Sequence, residues 1–551
     1  RGSVAASTAL AASVPLTAST PSTLTASMFH EVALQGFGDL ANSWVWSMAW
    51  FKGKLYAGTN RNYTCVSSAL WYLTFPLANP YPPNDPDIHC PSSSPAVSPT
   101  VQDLPSTLGA QIWALDPSVV TSTALLTQAD WTQVYSESIN VPMSITVPTT
   151  SGLTTVAAMG PRNMAFRGMT VYTERDGQQA LYVSGVGMRS LAGQSVPPPS
   201  LLRTTDGVHF QSVPADPGTT MGSINTLPGI VDLSGHGGAG CCIRGSVSYK
   251  GKFYVVIGDI QGAGALFVSS DPRLGDNSFA RLTPVGMQVF EIEPFNGHLY
   301  LGTQSVTGGY EVMETDANCA APCPMSAFKQ VVPAGGGLGA AGNFSITSMH
   351  VFTDSNGIAH LYVGTDGALN NTAAEVVRVN QDDSWDLIVG KPRSVNGTMM
   401  NPLSGYNGGF NWPWNYHMWR MADYNGVLYI GTFDDSTPLF KNTQYAAQIK
   451  PYMGFDLWAT SDGTHFTPVT MNGFGDPFCV GARSLVSAPP YGLFVGCANA
   501  YSGLRVWLGS LPPGSFQTAP QNVQVDHATN GAALAWNAPA GANTFHVYRS
   551  T

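Results

Sequence analysis

Three arginines of this chain, Arg167, Arg244 and Arg483, stand at one position of a recurring strand, counted back from the turn that ends it. Arg420 is displaced by one residue in its own copy, and Glu291 takes the displaced position in another. Guanidinium groups gathered in this way suit charge-assisted recognition of an anion. The plainer reading is a set of ion pairs between neighbouring repeats and bonds to loop carbonyls. After the following strand come Asn60, Asp259, Asp366 and Asp434, and the three aspartates are candidate metal ligands at the mouth of a central channel. An aromatic run, Tyr406, Phe410, Trp412, Trp414, Tyr416 and Trp419, has Trp44 and Trp46 in the equivalent stretch near the start of the chain. Flat rings of this kind offer stacking platforms to sugars and peptides, or they seal loops against a core. Of these, Trp412, Trp414, Tyr416 and Trp419 are the candidate binding residues, with Arg167, Arg244, Arg420 and Arg483. His236 in SGHGGAGCC could ligate a metal with Cys241 and Cys242, although a disulfide beside a loop histidine explains the same residues.

The elements that position these residues come from a repeat. A core strand occurs seven times: GKLYAGT (53–59), QALYVSG (179–185), GKFYVVIG (251–258), GHLYLGT (297–303), AHLYVGT (359–365), GVLYIGT (426–432) and YGLFVGC (491–497). A second motif follows six of them, as WTQVY (131–135), FQSVP (210–214), FARLT (279–283), FKQVV (328–332), WDLIV (385–389) and FTPVT (466–470). The seventh copy, FHEVA (29–33), stands alone at the front of the chain and runs into GFGD, as FTPVT does later. A four-stranded unit cannot bury both its faces alone, so such units stack. A repeat whose missing strand lies at the opposite end of the chain predicts a ring closed by its two ends. The expected fold is therefore all-β: a seven-bladed β-propeller over 29–511, with FHEVA pairing with RVWLG (505–509).

In such a ring the long connections 60–110, 186–199 and 433–454, and 136–160, 215–240 and 391–415, fall on one face. That face is where binding or catalysis is expected. The opposite turns are short, and two of them, TTDGVHF (204–210) and TSDGTHF (460–466), resemble the Asp-box turns of sialidase-type (BNR) propellers. In those turns an Asp side chain folds back on its own backbone, a structural staple. Sialidases also need a tyrosine nucleophile with a carboxylate partner and a separate acid/base carboxylate, and the sequence places no such pair beside the arginines.

Composition narrows the function. The 551 residues carry a formal net charge of −10, with only 11% charged residues, 59 Gly and 40 Pro. That composition suits short strands and turns and offers no basic face for nucleic acid. No apolar run is long enough to span a bilayer. A chain that begins at Arg1 reads as a processed or excerpted product. Among eight cysteines the expected disulfides are Cys319–Cys323, Cys479–Cys497 and Cys65–Cys90, with the pairing of Cys241 and Cys242 open. They fit an oxidising, extracellular setting.

Residues 1–28 read as an extended Ala/Ser/Thr-rich leader, or as a strand that docks on another subunit. Residues 518–551 resemble the first half of a fibronectin type III domain, with Val523 and Val525 in strand A, Trp536 ending strand B, and Phe545, Val547 and Tyr548 in strand C. These features lead to a secreted or cell-surface, non-catalytic propeller that binds a glycan or an extracellular protein through its long-loop face. The alternatives are a glycan-acting hydrolase or lyase of sialidase-like propeller type, and a structural subunit that self-assembles through its N-terminal segment or C-terminal module. No cofactor is expected beyond a possible structural Ca2+.

Overall fold

The computed structural model describes residues 22–62, 107–149, 152–188, 196–213, 242–258, 264–275, 278–368, 371–440, 444, 446–511, 521–528 and 531–537. The expected disulfide Cys65–Cys90, the candidate ligand Asp259, His236, Cys241, most of the connection 60–110 and all of 215–240 lie outside them. The chain is nearly all-β, with one short α-helix, Ala446–Ile449, among the described residues. Twenty-eight strands join in a single sheet system, the kind of arrangement a propeller has.

Its building block is an antiparallel set of four strands in sequence order. The first strands of successive sets are Asn42–Phe51, Asn163–Thr173, Cys242–Tyr249, Val289–Phe295, Ser345–Thr353, Asn415–Tyr424 and Gly481–Ala488. Each packs against the first strand of the next set, and the last packs against the first, so they stand in a closed circle. Each core repeat forms the second strand, for example Lys54–Arg61 and Val427–Asp434. The final set lacks a fourth strand of its own. Phe29–Ala33 supplies it, pairing antiparallel with Val506–Gly509 through Phe29↔Gly509 and His30↔Leu508. Arg505 holds Glu31 at 2.8 Å across this closure, and the indole of Trp131 donates to the carbonyl of Val32 at 3.0 Å.

The repeated letters have physical causes. The tyrosine of each core strand is fully buried in six copies, as Tyr56, Tyr182, Tyr254, Tyr300, Tyr362 and Tyr429. A buried phenol needs a partner, and several find one across a set boundary. Tyr300 donates to Asp383 at 2.6 Å, Tyr362 reaches the Gly463 carbonyl at 3.3 Å, and Tyr429 accepts from the Leu24 N–H at 2.9 Å. The glycine two residues later lets the next first strand press in. A Cβ on Gly58, Gly302, Gly364, Gly431 or Gly496 would collide with Phe166, Ile346, Met418, Ala482 or Val45 of the following set.

Leu24 is wholly buried among Tyr429, Leu457 and Trp507, so the end of the expected leader packs on the fold. The connection 136–160, expected as an open loop, is instead a hairpin of Ile139–Thr149 with Gly152–Pro161. Its β-branched runs, Ile145-Thr146-Val147 and Thr154-Thr155-Val156, favour extended pairing over coil. Within 391–415, Arg393–Val395 pairs with Thr398–Met400 around Asn396 and Gly397, both at positive φ, as a two-residue hairpin turn requires.

Both Asp turns fold back as expected. Asp206 accepts backbone N–H bonds from Val208 and His209, and Asp462 from Thr464 and His465, each at 2.8 Å. Cys319–Cys323 and Cys479–Cys497 are disulfide-bonded. In the tail, Gln521–Ala528 pairs with Gly531–Asn537, which contains Trp536; the expected third strand lies outside the described residues. No helix among the described residues is long and apolar enough to cross a membrane.

Candidate functional site

The register of the first strands breaks at one equivalent place in all seven sets. The pairing skips between Val45 and Ser47, Phe166 and Gly168, Ile243 and Ser246, Val289 and Glu291, Ile346 and Ser348, Met418 and Arg420, and Ala482 and Ser484. Each skip is a β-bulge, which frees a residue from the ladder and re-aims its side chain. The freed residues are Trp46, Arg167, Arg244 with Gly245, Phe290, Thr347, Trp419 and Arg483. The circle of strands thus carries a ring of three cations, three aromatic faces and one threonine. Arg244 lies 3.3 Å from the centroid of Phe290, Arg167 lies 5.1 Å from Trp46, and Arg483 lies 4.9 Å from Trp419 and 5.7 Å from Trp46.

The displaced pair foreseen in the sequence meets here. One carboxylate oxygen of Glu291 takes Arg420 at 3.1 Å and Arg244 at 3.4 Å. Burial, then mutual repulsion among the arginines, depresses Arg244 and Arg483 from their ordinary range. The three arginines expected at this position and the displaced Arg420 therefore come together, but they do not line an open mouth. Arg483 and Arg244 are sealed from solvent, and only Arg420 retains appreciable side-chain exposure, at 24%.

Above the ring, seven bridges stitch each set to its neighbour: Asn60↔Ala165, Val186↔Cys242, Gly264↔Val289, Gln304↔Ser345, Asp366↔His417, Phe433↔Gly481 and Ala498↔Trp44. Among them, Asp366↔His417 alone joins an acid to an imidazole. His417 Nδ1 lies 2.9 Å from Asp366 Oδ2 in an ion-pair contact that is off the line of an ideal hydrogen bond. The other carboxylate oxygen of Asp366 accepts the Ala368 N–H at 2.9 Å. The imidazole stacks on Trp419 at 5.5 Å and touches Phe433 at 4.7 Å. Asp435 is half-buried beside it, and burial pushes its carboxyl up to about 6 against the pull of His417. His417 was absent from the residues singled out in the sequence. The signal lay in the phase of the repeat, because it stands two residues before a bulge.

The aromatic candidates divide. Trp419 and Tyr416 are each 8% exposed and act as walls, Trp419 being covered by Trp44, His417 and Phe433. Trp412 and Trp414 are half-buried. Trp412 donates its indole N–H to Asp434 at 3.2 Å and packs on Tyr452 at 5.5 Å. Asp434 also accepts the Ser436 N–H at 2.6 Å, and burial pushes it up to about 7. Asp366 and Asp434 are thus each engaged by protein groups, and among the described residues no group of three or more His, Cys, Asp or Glu could hold a metal ion.

No family model and no curated protein matches the chain. Solved structures do. An ulvan lyase, described as a new family of polysaccharide lyase, is 8% identical with a TM-score of 0.38, covering 87% of this chain and 95% of its own. An α-L-arabinofuranosidase from Podospora anserina is 11% identical with a TM-score of 0.26, covering 49% and 84%. One from Clostridium thermocellum is 14% identical with a TM-score of 0.24, covering 54% and 93%. At these values the likeness assigns neither activity nor substrate to this chain. The leading expectation of a non-catalytic binder is nevertheless corrected, since the proteins of similar structure are mostly glycan-active enzymes. The physical reason it misled is visible in the site. The aromatic run suggests a stacking platform or a seal, and Trp419 is part of the wall against which His417 stacks.

Proposed function

We propose that this chain is a carbohydrate-acting enzyme, a hydrolase or lyase, built as a seven-bladed β-propeller over residues 29–511. The observation that carries the reading is the His417–Asp366 pair at the one bridge that joins an acid to an imidazole. An imidazole steadied by a carboxylate is a general base suited to neutral pH. Asp435, with its carboxyl raised to about 6, retains a protonated fraction near neutrality and supplies the complementary acid. Arg420 stands three residues along the same strand as a cation for negative charge on the sugar or in the transition state.

Cleavage of a glycosidic bond follows from these roles in either form. In hydrolysis His417 takes a proton from the attacking water while Asp435 protonates the leaving oxygen. In elimination His417 takes a carbon-bound proton from the sugar, the electron pair forms a C=C bond, and Asp435 again protonates the leaving oxygen. Trp412 and Trp414 would flank a glycan at the rim. The two Asp turns serve as Asp-box staples. The two disulfides support a secreted setting, and residues 518–551 the start of a fibronectin-like spacer.

The test is a panel of neutral and acidic polysaccharides, assayed for new reducing ends and for the ultraviolet absorbance of an unsaturated sugar. His417→Ala should lower the rate by about 10²–10⁴-fold, with Asp366→Asn also impaired, while both variants retain the native fold by circular dichroism. Retained activity in folded His417→Ala would sink the assignment.

A further inference from the structure

Among the described residues, the bulge ring contains more hydrogen-bond donors than there are acceptors to satisfy them. Arg483 is 0% exposed, and its Nε, Nη1 and Nη2 all lack an acceptor. Arg244 is 1% exposed, and its Nε and Nη1 lack one. The indole N–H groups of Trp46 and Trp44 are buried in the same cluster, equally unmet. Every one of these groups donates. Among the described residues, the carboxylate in contact with Arg244, Arg420 and Arg483 is that of Glu291 alone, and it is already divided between Arg244 and Arg420. Asp366 faces His417, and His350 is held by Asp423 at 2.9 Å. An arginine does not escape burial by losing its proton, as a lysine does. Buried charge in this amount calls for a counter-charge, and water would supply acceptors without one.

We propose that the bulge ring is a binding site for one compact anion, received by the unmet N–H groups of Arg244, Arg483 and Trp46. Its chemistry is that of a monovalent ion small enough to sit among guanidinium edges and indole rings. A halide such as chloride fits it better than the carboxylate of a sugar, because Arg483 presents no surface to an incoming chain. Seated there, the anion would lower the net positive charge at the centre of the circle and weaken the mutual repulsion of the arginines that the first strands carry. The site is separate from the catalytic reading: it uses neither His417 nor Asp366.

The experiment uses the whole chain in sodium MES, whose bulky anion cannot enter, with ionic strength constant while MES is replaced by chloride, bromide or glucuronate. Chloride and bromide should give a saturable rise in melting temperature of about one to a few degrees, and glucuronate none. Glu291→Gln removes the competing carboxylate and should lower the half-saturating halide concentration several-fold. Arg483→Met should abolish the saturable rise. If that variant does not fold, bromide-soaked crystals of the wild type decide through an anomalous peak among Arg244, Arg483 and Trp46. A rise with glucuronate in place of halide would overturn the assignment to a compact anion. No anion-specific shift, together with no bromide peak, would overturn it.

Discussion

The hydroxyl of Ser484 donates to the carbonyl of Val45 at 2.8 Å across 439 residues of chain. Ser47 makes the same bond to Phe166, and Ser348 to Met418 at 2.6 Å. In each case the serine just past one bulge holds the residue just before the next. The bond that joins the two ends of the chain is thus the bond that joins ordinary neighbours, and closure depends on Phe29–Ala33 to complete the last set. Deleting residues 1–36 leaves the edge of Val506–Gly509 bare and removes Leu24 from its pocket. The expected loss is several kcal/mol, roughly one set's packing. Thermal unfolding of the truncated chain measures it, and an unchanged melting temperature would count against closure by this strand.

Gly463 has φ +78, and a side chain there would run into the hydroxyl of Tyr362. Gly463→Ala should therefore cost about 2–4 kcal/mol, from left-handed backbone strain plus overpacking. Tyr362→Phe removes the obstructing oxygen, so the double variant should lose less than the two single losses combined. Denaturant titration of the four proteins decides this, and simple additivity would argue against the contact.

Asp434 and Asp456 are buried and both are pushed up to about 7, chiefly by burial, with the charge of Asp434 adding to the shift of Asp456. Their folded-state values lie above the unfolded value, so the native state binds the extra protons. The pair then contributes stability that declines as pH rises from about 4 to 7. Asp434→Asn with Asp456→Asn keeps neutral acceptors for Trp412 and Trp458. Relative to the wild type, the double variant should gain stability at pH 8 and show a flatter profile between these limits. A parallel profile would contradict the shifts.

The Cys479–Cys497 bridge spans 18 residues and ties the segment before the last first strand to the strand that follows it. Loss of the bond should cost about 2–4 kcal/mol. Mapping of non-reduced peptides establishes the linkage, and melting with and without reductant measures its contribution. Free thiols at both positions would weaken the extracellular assignment as well.

Much of the architecture follows from short-range rules that a sequence displays. The tyrosine and glycine of LYxGT recur because each set must present a phenol and a gap to the next, and FHEVA stands alone because its partner strand lies at the other end of the chain. The equivalence of Arg167, Arg244 and Arg483, and the displacement of Arg420 and Glu291, were likewise legible by counting along the repeat. What counting did not reveal is that this position is a bulge. A bulge appears only when two strands are aligned, and it turned the same position into Trp46, Phe290, Thr347 and Trp419 in the other sets. The burial of the arginines was hidden for the same reason: it depends on seven strands meeting at one centre. The pairing of His417 with Asp366 belongs to the tertiary structure alone. The two residues lie in different sets, 51 positions apart, and come within reach only because the ring brings the end of one second strand against the start of the next first strand.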